Sequence, residues 1–206
     1  LTATTKQLDV AWAVGTNQGG LDTGAIANGT YHVWLIKRTD TGVVDVLFST
    51  SATAPPMPTN YTKKRLIGSI LRESAAIVAF VQDGDLFQRK VPINSYDATN
   101  PGTAAVSITM YVPIGINVVG LGGWSISNGA GGGTDALFTD LATTDTAPSV
   151  ALASNASGYV SERGGGQLAV RTNTSAQIRY RGDFSDANTK IRVHTIGWID
   201  TRGKNS

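Results

Sequence analysis

Residues 29–50 set the terms for the whole chain. Two runs rich in β-branched and aromatic residues, Thr30-Tyr-His-Val-Trp-Leu-Ile-Lys-Arg38 and Val43-Val-Asp-Val-Leu-Phe-Ser-Thr50, flank Thr39-Asp-Thr-Gly42. That pattern is the signature of an antiparallel hairpin. Strand side chains alternate between faces. In the second run Val44, Val46 and Phe48 therefore share an apolar face, and Val43, Asp45, Leu47 and Ser49 share a mixed one. The first run is apolar on both faces, through Tyr31, Val33 and Leu35 on one side and Trp34 and Ile36 on the other. A strand of that kind is covered on both sides and lies inside a sheet.

The rest of the chain repeats this grammar. With 24 Gly and 7 Pro spread along it, no long segment is free of breakers, so extended helices are disfavoured. Residues 7–14 alternate as an opening strand with Leu8, Val10 and Trp12 on one face, and residues 15–28 read as a loop. Three prolines in 51–60 make that segment a crossover. Helix and strand compete over 61–73, but Gly68 at its centre favours a strand with a bulge. A second hairpin joins 75–81 to 86–91 through Gln82-Asp83-Gly84-Asp85, and 94–103 reads as a polar loop. Further strands are expected over 105–113, 116–126, 137–141, 150–153, 167–171, 177–181, 190–194 and 196–199, with a flexible glycine-rich link over 128–133. Ten or so short strands between turn signals point to an all-β chain, an antiparallel β-sandwich of jelly-roll type. At 206 residues, one such domain accommodates 1–206, with 1–28 as a strand and loop available for assembly.

Charge is sparse at 16%, against roughly 25% in typical globular chains, and is unevenly placed. From Glu162 onward, Arg163, Arg171, Arg179, Arg181, Lys190, Arg192, Arg202 and Lys204 face only Glu162, Asp183, Asp186 and Asp200. On the last strands the apolar residues Leu168, Val170, Ile178, Tyr180, Ile191 and Val193 take one face. Arg171, Arg179, Arg181, Lys190, Arg192 and His194 take the other. Arginine binds acidic or phosphorylated groups bidentately, so this basic face is a candidate anion surface, set against a plain solvated face whose Arg stems cover apolar surface. A net charge of +2 is thin for nucleic acid.

Catalytic signatures are lacking. The chain has no cysteine, and His32 and His194 are in no metal-ligand spacing, so no cofactor, metal or thiol chemistry is expected. Residues 122–127 miss the closing glycine of a nucleophile elbow, and 129–135 miss the Lys-Ser/Thr of a phosphate loop. The only glutamates are Glu73 and Glu162, while Asp83 and Asp85 are typical turn residues, so no carboxylate pair is marked out for sugar hydrolysis. No apolar run approaches the roughly 18 residues of a membrane span, so membrane insertion is not expected. A chain opening on Leu1 is expected to be a processed product or the terminal piece of a longer one.

The hairpin also carries a resemblance. Together with Thr53-Ala-Pro-Pro-Met-Pro-Thr-Asn-Tyr61, Phe80-Val-Gln-Asp-Gly-Asp85, Thr172-Asn-Thr-Ser-Ala-Gln-Ile-Arg-Tyr-Arg181 and Ile196-Gly-Trp-Ile-Asp-Thr-Arg-Gly203, it resembles a C-terminal module of tail-fibre-like and other virion-associated proteins of phages and prophages. The matching blocks run from about residue 29 to residue 203. The resemblance implies a non-enzymatic virion protein, made in the bacterial cytoplasm and assembled as a homotrimer with other virion proteins. It names no ligand. A host surface glycan is the expected partner, held by the loop aromatics Tyr61, Tyr96, Trp124 and Tyr159 and by Arg171, Arg179, Arg181 and Arg192. A structural connector or capsid-associated protein and a polysaccharide depolymerase are the alternatives.

Overall fold

The computed structural model describes residues 4–128, 134–149, 158–160 and 163–202. The described residues are all-β, with fifteen strands and no helix. The glycine-rich 129–133 and the strand expected at 150–153 lie outside the described residues. The chain divides into two compact units, Leu1–Val78 with Thr201–Ser206, and Ala79–Asp200.

The first unit is one curled, mixed sheet of six strands in the order β1-β2-β4-β3-β5-β6. These are β1 (Lys6–Ala11), β2 (Gln18–Leu21), β3 (Gly29–Arg38), β4 (Val44–Ser49), β5 (Tyr61–Glu73) and β6 (Ala76–Ile77). The hairpin forms as its sequence dictates, with His32 opposite Ser49 and Trp34 opposite Leu47, and β3 lies inside between β4 and β5. Residues 61–73 are a strand, and its register slips beside Gly68 as a bulge requires.

Two expectations are corrected here. Pairing is not purely antiparallel, because β1 runs parallel to β2 and β2 parallel to β4. Residues 15–28 are not all loop, since β2 arises within them. Gly19 makes that pairing possible, because a Cβ there would run into the Ala11 carbonyl.

Both faces of β3 are covered, as expected. Trp34, Ile36, Leu47 and Tyr61 form one cluster, with Trp12, Met57 and Leu66 packed against it. Leu8, Leu21 and Tyr31 form the other, with Ile26, Phe48 and Ile70. On β4 the mixed face proves the more deeply buried one: Asp45, Leu47 and Ser49 are 3%, 0% and 1% exposed. A carboxylate needs a partner to reach such a position. Lys6 supplies it, reaching Asp45 Oδ2 at 3.0 Å with both side chains nearly sealed from solvent.

The second unit holds two antiparallel sheets. Five strands order as β13-β10-β15-β8-β7 and four as β12-β11-β14-β9. They are β7 (Phe80–Asp83), β8 (Leu86–Thr99), β9 (Val106–Thr109), β10 (Val119–Asn128), β11 (Thr134–Thr139), β12 (Gly158–Val160), β13 (Arg163–Arg171), β14 (Gln177–Gly182) and β15 (Thr189–Ile199). Side chains of the two sheets meet where Trp124 on β10 packs on Phe138 of β11 at 5.7 Å, and Phe138 on Tyr180 of β14 at 5.5 Å. Ring separations in this range are favourable for offset and tilted aromatic pairs.

The loop expected over 94–103 is another correction, because β8 runs on to Thr99 against β15. Its polar residues are used across the pair, with Ser95 and Thr195 hydroxyls 2.6 Å apart. Gly122 sits at a break in the β10–β15 register, where a Cβ would strike the His194 carbonyl. The glycines that soften β10 in the sequence thus mark close backbone approach.

Candidate functional site

The second unit disposes of its arginines internally. Arg171 on β13 pairs with Asp140 at 2.8 Å, and Arg181 on β14 with Asp145 at 2.7 Å. Arg179 donates to the Thr143 carbonyl at 2.7 Å and the Leu141 carbonyl at 3.3 Å. These three residues, drawn from different sheets, hold down the loop after β11. Arg192 pairs with Asp97, its direct cross-strand neighbour on β8, at 2.8 Å. The Ala142 N–H and the Arg171 guanidinium hold the Asp140 carboxyl below its ordinary range. The four arginines are therefore already engaged, though by only three acids since Asp145 serves both Arg179 and Arg181, and they stand on strands of two different sheets.

The aromatics expected in or beside loops all stand on strands, Tyr61 at the first residue of one. Trp124 is 4% exposed within β10, and its Nε1 has no hydrogen-bond partner among the described residues. Tyr96 is half-buried on β8, and burial pushes its hydroxyl above the usual phenol range. Tyr159 lies on β12, with its side chain outside the described residues. Tyr61 opens β5 and is 5% exposed. The reason is common to Tyr61 and Trp124. Alternation turns these rings inward, and a large ring contributes most when buried.

Tyr61 nevertheless borders a concavity of the first unit. A groove of about 540 Å³ is lined by Ala11, Trp12, Val14, Asp22, Arg38, Val43, Pro56, Met57, Pro58, Thr59 and Tyr61. That size falls in the roughly 300–1,000 Å³ range of small-ligand sites. Trp12 meets Tyr61 edge-on, ring centroids 5.2 Å apart at 78°. The indole is pinned by its N–H to the Val46 carbonyl at 3.1 Å and has the Lys6 ammonium 5.3 Å from its centroid. The loop after it is held from within: Lys6 donates to the Ala13 carbonyl at 2.6 Å, and Asp45 accepts from the Gly15 N–H at 2.9 Å. The buried ion pair thus fixes the wall that carries Trp12 and Val14.

At the rim, Arg38 grips Asp40 through Nε at 3.0 Å and Nη2 at 2.6 Å, which lowers the Asp40 carboxyl to about 2. Asp22 accepts from the Thr23 N–H at 2.7 Å through Oδ1. The Tyr61 hydroxyl is buried with no partner among the described residues, and burial raises its proton affinity.

Sequence reasoning missed this groove. Alternation predicts Trp12 on a strand face with Leu8 and Val10, but β1 ends at Ala11, Val10 is 44% exposed and Leu8 packs in the other cluster; 51–60 is legible as a proline crossover, and nothing local says that it meets Trp12. A second feature it missed is a cationic stripe on the opposite face of the sheet. Lys37 stands directly across from Lys63, with Arg65 two residues along, and all are exposed. Like charges in that register repel.

Among the described residues no group of three or more His, Cys, Asp or Glu is placed to hold a metal ion. The buried His32 Nδ1 lies 2.9 Å from Ser69 Oγ, and both residues are 1% exposed, which closes that pair to any substrate. No family model matches this chain, and neither does a curated protein or a solved structure.

Proposed function

We propose that this chain is a non-enzymatic phage virion protein, a tail-fibre or spike module that attaches to a glycan on the host surface. In this reading residues 1–206 act as one module, the sheets of the second unit close as a jelly-roll-like sandwich, and three copies assemble with other virion proteins. The observation that carries the binding role is the Trp12–Tyr61 groove, an aromatic-walled concavity with a few polar groups at its rim. Such a combination is the usual make-up of a small-ligand site. The resemblance of the hairpin and its companion blocks supplies the virion context.

The test is adsorption of fluorescently labelled protein to a panel of bacterial strains, each beside its polysaccharide-deficient derivative. Saturable adsorption to a parent strain and loss on its derivative is the expected result. No adsorption to any parent strain overturns the reading.

One observation favours the structural connector as a second reading. Strand β7 pairs with Leu86–Arg89 of the 14-residue β8, one more bond joins the Lys90 N–H to the Ala79 carbonyl, and among the described residues no strand pairs with that edge beyond it, where Val91 is 73% exposed. An open strand edge is a ready template for another chain. A connector would co-purify with virion parts while failing to adsorb to any strain.

A further inference from the structure

Building on the reading of the chain as a glycan binder, we infer that the ligand is an uncharged pyranoside seated in the Trp12–Tyr61 groove, and not an anionic sugar on the C-terminal arginines. Each of those arginines already has its acid or carbonyl: Arg171 has Asp140, Arg181 has Asp145, Arg192 has Asp97, and Arg179 has the 141 and 143 carbonyls. An anion arriving there meets the carboxylates of Asp140, Asp145 and Asp97 beside the guanidinium groups, which repel it.

The groove is differently furnished. The one cation lining it, Arg38, is closed bidentately by Asp40, leaving Nη1 as a donor. Asp22 uses Oδ1 on the Thr23 N–H and keeps Oδ2 as an acceptor. An anionic ligand therefore gains no free counter-ion and meets both Asp22 and Asp40. A ligand with alternating hydroxyl donors and acceptors matches Oδ2, Nη1 and the Thr59 hydroxyl, because a hydroxyl both donates and accepts.

The wall selects further. Trp12 is held edge-on to Tyr61 and by its N–H to Val46, and it stays half-buried, a rigid apolar plate at the groove. The C–H face of a pyranose ring fits such a plate. Pro56 and Pro58 on the facing loop carry no N–H, so an extended peptide would find few backbone partners there. The Tyr61 hydroxyl, buried beside the groove and unpartnered among the described residues, is a group whose bonding a ligand hydroxyl would complete.

The test is intrinsic fluorescence together with an array carrying neutral, uronic-acid and phosphorylated glycans. Trp34, Trp124 and Trp198 are 6%, 4% and 0% exposed, so a ligand-induced spectral change reports Trp12. Neutral glycans should bind and perturb the emission, and Trp12→Ala should weaken binding at least about tenfold. Asp22→Ala, which removes only the Thr23 contact among the described residues, should weaken binding without lowering the unfolding midpoint and so guards against a misfolded Trp12→Ala. Arg171→Ala should bind as the parent does. Preference for acidic glycans, dependence on Lys63 or Arg65 instead of Trp12, or an emission spectrum unmoved by every neutral glycan overturns the inference. If labelled protein still adsorbs to cells in that case, the host-binding role stands and only the site and ligand class fall.

Discussion

Replacing Lys6 by Met removes a cation from the interior while keeping most of the side chain's volume. Asp45 is left 3% exposed with its charge, retaining only the Gly15 N–H at 2.9 Å and the Val46 N–H at 2.8 Å. Breaking a buried pair from one side costs about 3–5 kcal/mol, since the surviving charge is uncompensated. The Ala13 carbonyl also loses the ammonium that bonds it at 2.6 Å, adding about 1–3 kcal/mol if water does not replace it. For a unit of this size each kcal/mol shifts the midpoint by about 4–8 °C, so a drop well above 10 °C is expected. Denaturant melts of Lys6→Met, Asp45→Asn and the double variant complete a thermodynamic cycle. The double variant should recover much of the loss, because two neutral side chains leave no lone charge. If Lys6→Met stays within about 1 kcal/mol of the parent, the pair does not anchor β1 and the reasoning about the groove wall fails.

Other perturbations probe separate parts of the account. Ser74 and Ala75 turn the β5–β6 hairpin with φ of 48° and 64°, so Ala75→Gly should stabilise by up to about 1 kcal/mol in a urea melt, relief of the left-handed cost of about 1–2 kcal/mol outweighing about 0.4–1 kcal/mol of added unfolded-chain freedom; a loss would contradict it. Gly122→Ala should destabilise by about 1–3 kcal/mol or more, since its Cβ has no space beside the His194 carbonyl, and an unchanged midpoint would refute that packing. Asp140 has a depressed folded-state pKa, so the stability it contributes is present above the unfolded carboxylate value of about 3.9 and is lost as pH falls through its lowered native one. Hydrogen-exchange protection in the loop after β11, relative to the intrinsic rate at each pH, should therefore fall in acid, and in Arg171→Met it should already be lowered at pH 7; protection that ignores both would sink the clamp.

Strand alternation carried most of what could be read in advance. The pairing of β3 with β4, the bulged strand at 61–73 and the inward sets Ile178 with Tyr180 and Ile191 with Val193 follow from period-two patterning and turn residues. The parallel β1–β2–β4 arrangement does not, because it depends on a close backbone approach at Gly19 and a buried Lys6–Asp45 pair separated by 39 residues. Asp45 is legible only as a member of a mixed face, since its partner is invisible locally. The arginines read as one basic face in the sequence, yet they stand on two sheets and their acids lie 31 to 95 residues away, so the charge they present could not be read from the strands alone. Trp124 and Tyr61 read as lying in or beside loops, at the edges of expected strands, because of their flanking glycines and prolines. In the fold those glycines mark tight approach, and the prolines border a groove.

Saturation-transfer NMR with a neutral oligosaccharide pool prepared from an adsorbing strain is the most direct examination of the groove. The expected result is transfer from the protein to ring C–H protons of the sugar, abolished in Trp12→Ala and retained in Arg171→Ala. Transfer that survives loss of the indole, or appears only with acidic oligosaccharides, would contradict it.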